Sequence, residues 1–209
     1  MQITDTTRPQ LLPKKQSRKQ TKIRSFTIDS FNYSEYELPK SEDRDFFEQL
    51  CIPKIIKGEP IGDLWKPLIF LEKTQKQSTD FVFIENTGIA MSQKAVEVLQ
   101  PLIKDEAEIL PLKTLADNPF FLVNTLNPPD ALDEEKAIFQ YSAVSKTKIG
   151  IKKFVFDSEK VKNRHFFKIK GFWYYRCISD EFQYIYKKHS LKGLNYSNLF
   201  EKESTIPIL

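Results

Sequence analysis

The sequence holds little of what catalytic and metal sites are usually made from: two histidines, two cysteines and six glycines among 209 residues. His165 and His189 have neither a carboxylate nor a second histidine at ligand spacing, so neither metal nor cofactor is expected. Cys51 and Cys177 lie far apart beside apolar residues, outside any CxxC or Cys/His pattern. They read as core thiols of a reduced cytoplasm, with a single disulfide as the alternative. The scattered glycines build neither a dinucleotide fingerprint nor a P-loop, which excludes nucleotide binding by those modes. No stretch approaches the roughly 18 apolar residues that span a bilayer, and MQITDTTRPQLLPKK lacks a signal-peptide core. The expectation is a cytoplasmic protein without a membrane partner.

What is present suits a folded body. Hydrophobic residues make up 40% and aromatics 13% of the chain. A body of this size buries roughly 70% of its unfolded surface and needs no staple. The net charge of +4 divides unevenly. Residues 1–24 carry seven basic groups against Asp5, a net of +6, which leaves −2 for the rest. The basic balance therefore describes a tail, expected to be disordered, and gives no warrant for a nucleic-acid-binding body. Residues 25–209 are read as a single domain.

Apolar spacing gives the fold class. Phe26, Ile28, Phe31 and Tyr33 alternate as an opening strand, and Ser41 can cap a short helix through Glu48 or Leu50. Two later segments each read as strand, Ser-capped helix, strand. In the first, Ala95, Val98, Leu99, Leu102 and Ile103 share a face behind Ser92. In the second, Phe182, Ile185, Tyr186 and His189 form a stripe behind Ser179. The pair suggests a duplicated unit. Strand candidates also lie at FFLVNTL, Ile149–Asp157 and His165–Ile169, without regular βαβα alternation. The class is α+β with a mainly antiparallel sheet. Gly88 and Gly193 read as positions needing positive φ.

Few groups offer chemistry. Ser92 and Ser179 lack the GxSxG turn and a base, so their hydroxyls are read as helix caps. Asp130, Asp133, Glu134 and Glu135 form a dense acidic cluster, in which Asp133 can cap a turn and the others offer an electrostatic contact face. A second acidic face around Glu42, Asp43 and Asp45 could steer a cationic partner. Residues 146–170 hold nine cations interleaved with Phe154, Phe156, Phe166 and Phe167. Strands with Phe inward and Lys outward explain them; a nucleic-acid groove, with help from the basic tail, is the alternative function.

Read in order, GEPIGDLWKPL, MSQKAVEVL, EILPLK, FFLVNTLNPPDALDEE, FKI, ISDEF and LKGLNY resemble an immunity protein family of bacterial polymorphic toxin systems, the myxobacterial-type immunity domain. The likeness covers roughly residues 58–198; the basic extension falls outside it. It implies an α+β immunity-type domain that binds and neutralises a cognate toxin protein by occlusion, with no catalytic residues. It also implies that Trp65, Ser92, Asn124, Asp133, Ser179 and Gly193 hold the scaffold.

Overall fold

A computed structural model describes residues 22–74, 76–84, 88–114 and 119–198. In chain order it begins with β1 (Ile23–Ile28), β2 (Glu35–Glu37) and α1 (Glu42–Phe46), which runs through a π-helical turn (Phe47–Cys51) into α2 (Ile52–Lys57). After a 3-10 turn (Gly62–Leu64) come β3 (Ile69–Thr74), β4 (Phe81–Ile84), β5 (Gly88–Ser92), α3 (Gln93–Ile103) and β6 (Ala107–Pro111). The remainder is β7 (Lys113–Thr114), β8 (Phe120–Thr125), β9 (Ile138–Tyr141), β10 (Lys148–Lys153), β11 (Phe166–Ile169), β12 (Phe172–Ser179), α4 (Asp180–Lys188) and β13 (Leu194–Asn198). The class is α+β, and the sheets are mostly antiparallel, as expected.

Most of the expected tail, residues 1–21, lies outside the described residues. Its last residues are a correction: Ile23 and Arg24 belong to β1. Ile23 is fully buried and Arg24 pairs with Asp180, so both have partners that recover the entropy of ordering them. The helical run from 42 to 57 also outlasts the expected short helix. Pro53 has no N–H to give to the preceding turn, and the wide π turn sits just before it. Ser41 does not cap through its side chain; its hydroxyl donates to the Pro39 carbonyl at 3.1 Å.

Strands order as β11-β12-β1-β13 in one sheet and β6-β8-β5-β4-β2-β3-β7 in another, with β9 and β10 as a separate pair. Helices α3 and α4 share one core between the two larger sheets, with Phe81, Met91, Leu99, Phe166, Phe182 and Tyr186 among its members. The outer face of each sheet is covered too. Phe167, Ile169 and Cys177 point into a second cluster with β9 and β10, while Val82, Ala90 and Leu122 point into a third beneath α1 and α2. Burial on both faces explains why the strands carry continuous apolar runs where a one-faced sheet would alternate. It also corrects the expected in/out pattern in β11, where Phe166, Phe167, Lys168 and Ile169 are all buried.

The suspected duplication is visible in the topology. In β4-β5-α3-β6, a hairpin leads through a helix to a strand parallel to β5, and β8 lies between, antiparallel to both. In β11-β12-α4-β13 the arrangement is the same, with β1 in the slot. Each hairpin ends on its serine: Ser92 accepts from Ala95 N at 3.2 Å and Ser179 from Phe182 N at 3.1 Å. The serine N–H in turn donates to the residue that precedes the hairpin, Asp80 at 2.9 Å and His165 at 3.2 Å.

Two buried carboxylates join the units reciprocally. Asp80, before the first hairpin, accepts Ser92 Oγ at 2.7 Å and Lys192 N, after the second helix, at 2.9 Å. Glu106, after the first helix, accepts His165 N and Phe166 N, each at 2.8 Å, at the start of the second hairpin. Gly193 takes φ +107° beside this junction, and a Cβ there would overlap Thr79 Oγ1. Gly88 differs from expectation, because it lies within β5 where a Cβ would press on Leu122 at 3.0 Å; close packing is its reason.

A buried cation links the four-stranded sheet to α2. Lys168 Nζ donates to the Ile55 carbonyl near the helix C-terminus, and its cross-strand neighbour Arg176 stacks on Phe83 with the guanidinium carbon 5.0 Å from the ring centre. Burial, with the Arg176 charge adding to it, pulls Lys168 down from 10.5 to about 7.

Asp80→Ala strips acceptors from Ser92 and Lys192 inside the fold, and urea unfolding is expected to show a loss of about 2–4 kcal/mol. For Lys168, the unfolded chain holds a proton that the folded chain releases between pH about 7 and 10.5, so stability rises with pH across that window. The slope is at most about 1.4 kcal/mol per pH unit. Urea midpoints measured from pH 6 to 8, below the range in which the two buried thiols ionise in the unfolded chain, are expected to climb, and Lys168→Met is expected to flatten the climb.

Candidate interaction site

Gly58, Glu59 and Gly62 are far in sequence from Asn124, yet one polar node holds them together. Glu108 on β6 accepts Ile61 N at 2.9 Å and Gly62 N at 3.0 Å. Asn124 on β8, fully buried, donates to the same carboxylate at 2.9 Å and to the Glu59 carbonyl at 2.8 Å. Gly58 ends α2 at φ +72° against the NPP turn: Asn127 N donates to its carbonyl at 3.0 Å, and a Cβ would overlap Pro128. Trp65 closes the segment by donating from Nε1 to the Pro111 carbonyl at 2.9 Å and meeting Phe47 edge-on. Sequence landmarks 46–65 residues apart thus converge on one scaffold node.

The acidic cluster is tied in the same way. Asp133 N donates to Val155 O at 2.8 Å and Asp157 N to Ala131 O at 2.9 Å, which joins residues 131–133 to 155–157. The Asp133 carboxylate accepts Glu135 N at 3.2 Å and Lys136 N at 3.3 Å and meets Lys136 Nζ at 2.5 Å. The Lys136 hydrogen bond holds its acid below the ordinary range. Of the six acids proposed to touch a partner, Asp43 pairs with Lys66 at 2.6 Å, Asp130 with Lys160 at 3.8 Å and Glu134 with Lys148. Glu42, Asp45 and Glu135 are exposed. The structure does not gather the six into one face: α1 overlies the third cluster, whereas residues 130–135 border the second.

The remaining chemistry is committed to structure. Ser92 donates a hydrogen bond to Asp80 and accepts from a helix N–H, and Ser179 meets His165 Nδ1 at 3.0 Å while capping α4. An open cleft of about 260 Å³ beside Ser92 is lined by Ser78, Thr79, Asp80, Gln93, Lys94 and Lys192, with no histidine or second acid to act as base. His189, expected on the buried stripe of α4, is instead an exposed C-cap whose N–H donates to the Ile185 carbonyl at 3.0 Å. Both cysteines are free and sit in different clusters, and burial pushes the thiols up, Cys51 to about 11. Burial likewise raises Glu106, against its backbone hydrogen bonds. Among the described residues no group of His, Cys, Asp and Glu is arranged to hold a metal, and no helix is long and apolar enough to cross a membrane.

The aromatics proposed for a nucleic-acid groove are taken up elsewhere. Phe154, Phe156, Phe166 and Phe167 are all core residues, and Lys168 is buried beside them. None of these rings is free to stack on a base.

Sequence reading missed Asp80, Glu106 and Glu108. Each accepts backbone N–H groups from 46 to 112 residues away, a role that leaves no local spacing. The available hint was positional: a polar residue precedes each apolar hairpin, Asp80 before Phe81 and His165 before Phe166.

No curated protein matches the chain. A family model does: from within β6 to just past β13, residues 109–200 match the Immunity protein family (Imm11), in keeping with the kind of family that the sequence landmarks resemble.

Proposed function

We propose that the protein is a cytoplasmic immunity protein that binds a cognate toxin domain and neutralises it by covering its working surface, without catalysis of its own. The family match over residues 109–200 carries this reading. The geometry supports it. The polar groups that would ordinarily suggest chemistry are used to cap helices, close turns and join the two units, so what the molecule offers a partner is a shaped face. Free buried thiols suit a reduced compartment. An occluding interface would cover about 1,200–2,000 Å² in total. We read Trp65, Ser92, Asn124, Asp133, Ser179 and Gly193 as residues that keep the shape, not as contacts.

Co-expression with the toxin domain encoded beside the gene tests the reading. Restored growth and co-purification of the two chains are the expected results; undiminished killing in the presence of soluble, folded protein would refute it. Exposed Glu42 and Asp45, with Asp43, are proposed to steer the approach of that partner. Reversing all three to lysine is expected to slow association about tenfold at low salt and to leave dissociation unchanged. Stopped-flow or surface-binding kinetics across salt concentrations would read both rates.

A further inference from the structure

The ten large apolar side chains that stand exposed among the described residues are unevenly placed. Five of them, Ile138, Tyr141, Val144, Ile149 and Tyr174, lie on the β9–β10 hairpin and the adjoining β12. Val144 at the hairpin tip is 93% exposed, and Tyr141 55%. Solvated side chains of this size are common singly; here strand alternation sets Ile138 on the side of β9 opposite Tyr141, and the concentration that marks an interaction face is at the tip end of the hairpin, Tyr141 and Val144 with Ile149 and Tyr174.

The hairpin is held firmly. Phe139 on its inner side stacks on Phe172 with ring centres 6.0 Å apart, and Ile151 is buried in the same cluster. The Tyr174 hydroxyl donates to the Ile149 carbonyl at 2.9 Å, which fixes the strand to the sheet below. Lys148 lies over the Phe139 ring at 3.9 Å. Exposed Tyr and aliphatic groups on a braced element lose little entropy on contact, which is the usual make-up of an interface centre.

Charge narrows the occupant. Residues 138–153 hold four lysines; Lys148 is paired with Glu134, and exposed Lys146 and Lys153, with Lys170 just before β12, keep the rim basic. The chain's own N-terminal segment is basic, so its charge does not complement such a rim. The exposed groups are mostly aliphatic or tied, whereas a nucleic-acid surface needs free aromatic faces. The hairpin also lies inside the segment that matches the immunity family, and α1 does not.

We infer that the β9–β10 hairpin with Tyr174 is the face that docks the toxin domain, and that the toxin meets it with an apolar patch rimmed by acids. This rests on the immunity reading and specifies its seat. The acids of α1 and the basic rim of the hairpin govern approach; the apolar groups of the hairpin govern how long the complex lasts.

The test uses the full chain and a catalytically disabled form of the toxin domain encoded beside its gene. Tyr141→Ser combined with Val144→Ser is expected to raise the Kd at least about 30-fold, mainly through faster dissociation. Unchanged urea midpoints would show the variant to be folded. Tyr184→Ser, at an equally exposed tyrosine on α4, is expected to leave the Kd where it was. Lys146→Glu with Lys153→Glu is expected to slow association at low salt. Wild-type affinity in the folded hairpin variant would overturn the docking face while leaving immunity standing; failure of the unaltered chain to bind the toxin at all would remove both. A dimer of the protein alone, or retention on anionic vesicles or single-stranded DNA, lost in the same hairpin variant, would assign the face to another occupant and overturn the inference.

Discussion

Two buried carboxylates hold the molecule's halves in register. Asp80 takes backbone N–H from the far side of the second helix, and Glu106 takes it from the start of the second hairpin. A charge removed from water is costly unless its lone pairs are met, and both acids are met by donors from the opposite unit. Separating the units would take Lys192 from Asp80, leaving it Ser92, and would take both His165 and Phe166 from Glu106. The shared core of α3 and α4 supplies the apolar contact; the carboxylates fix the orientation in which that contact is made.

The parts of this arrangement that act locally were legible in the sequence. Ser92 and Ser179 cap helices within three residues of themselves, and a cap leaves its mark in composition and spacing. The apolar faces of α3 and α4 could be read for the same reason, apart from His189, which falls one turn beyond the buried stripe. Ser41 satisfied the same local rule and still does not cap; its hydroxyl is turned to the Pro39 carbonyl and accepts no N–H of the first turn. Long-range roles stayed hidden. Nothing near Glu108 hints that it receives Ile61 and Gly62, and nothing near Lys168 distinguishes it from the solvated lysines around it. β11 broke the expected alternation because both of its faces are covered, a fact about the neighbouring elements and not about β11.

The landmark residues and the exposed surface divide the work. Trp65 Nε1, the Asn124 amide nitrogen and the Asp133 carboxylate bond turns and neighbouring strands, which gives those segments a fixed outline. The hairpin of β9 and β10 inherits its orientation from that outline through Phe139, Ile151 and Tyr174 while leaving its outer side chains in solvent. The tip of such a surface can change with little cost to the core, since Val144 stands almost wholly in solvent.

The slot filled by β1 has a bearing on biogenesis. β8 reaches its place soon after β6, but β1 waits for partners synthesised some 156 residues later, as the Arg24–Asp180 contact measures. At 5–20 residues per second a ribosome takes roughly 8–30 s to deliver them. Throughout that interval Phe26 and Ile28 have no sheet to enter, so the four-stranded sheet closes only once β12 and β13 have been made, and until then the nascent chain carries an unsealed apolar seam.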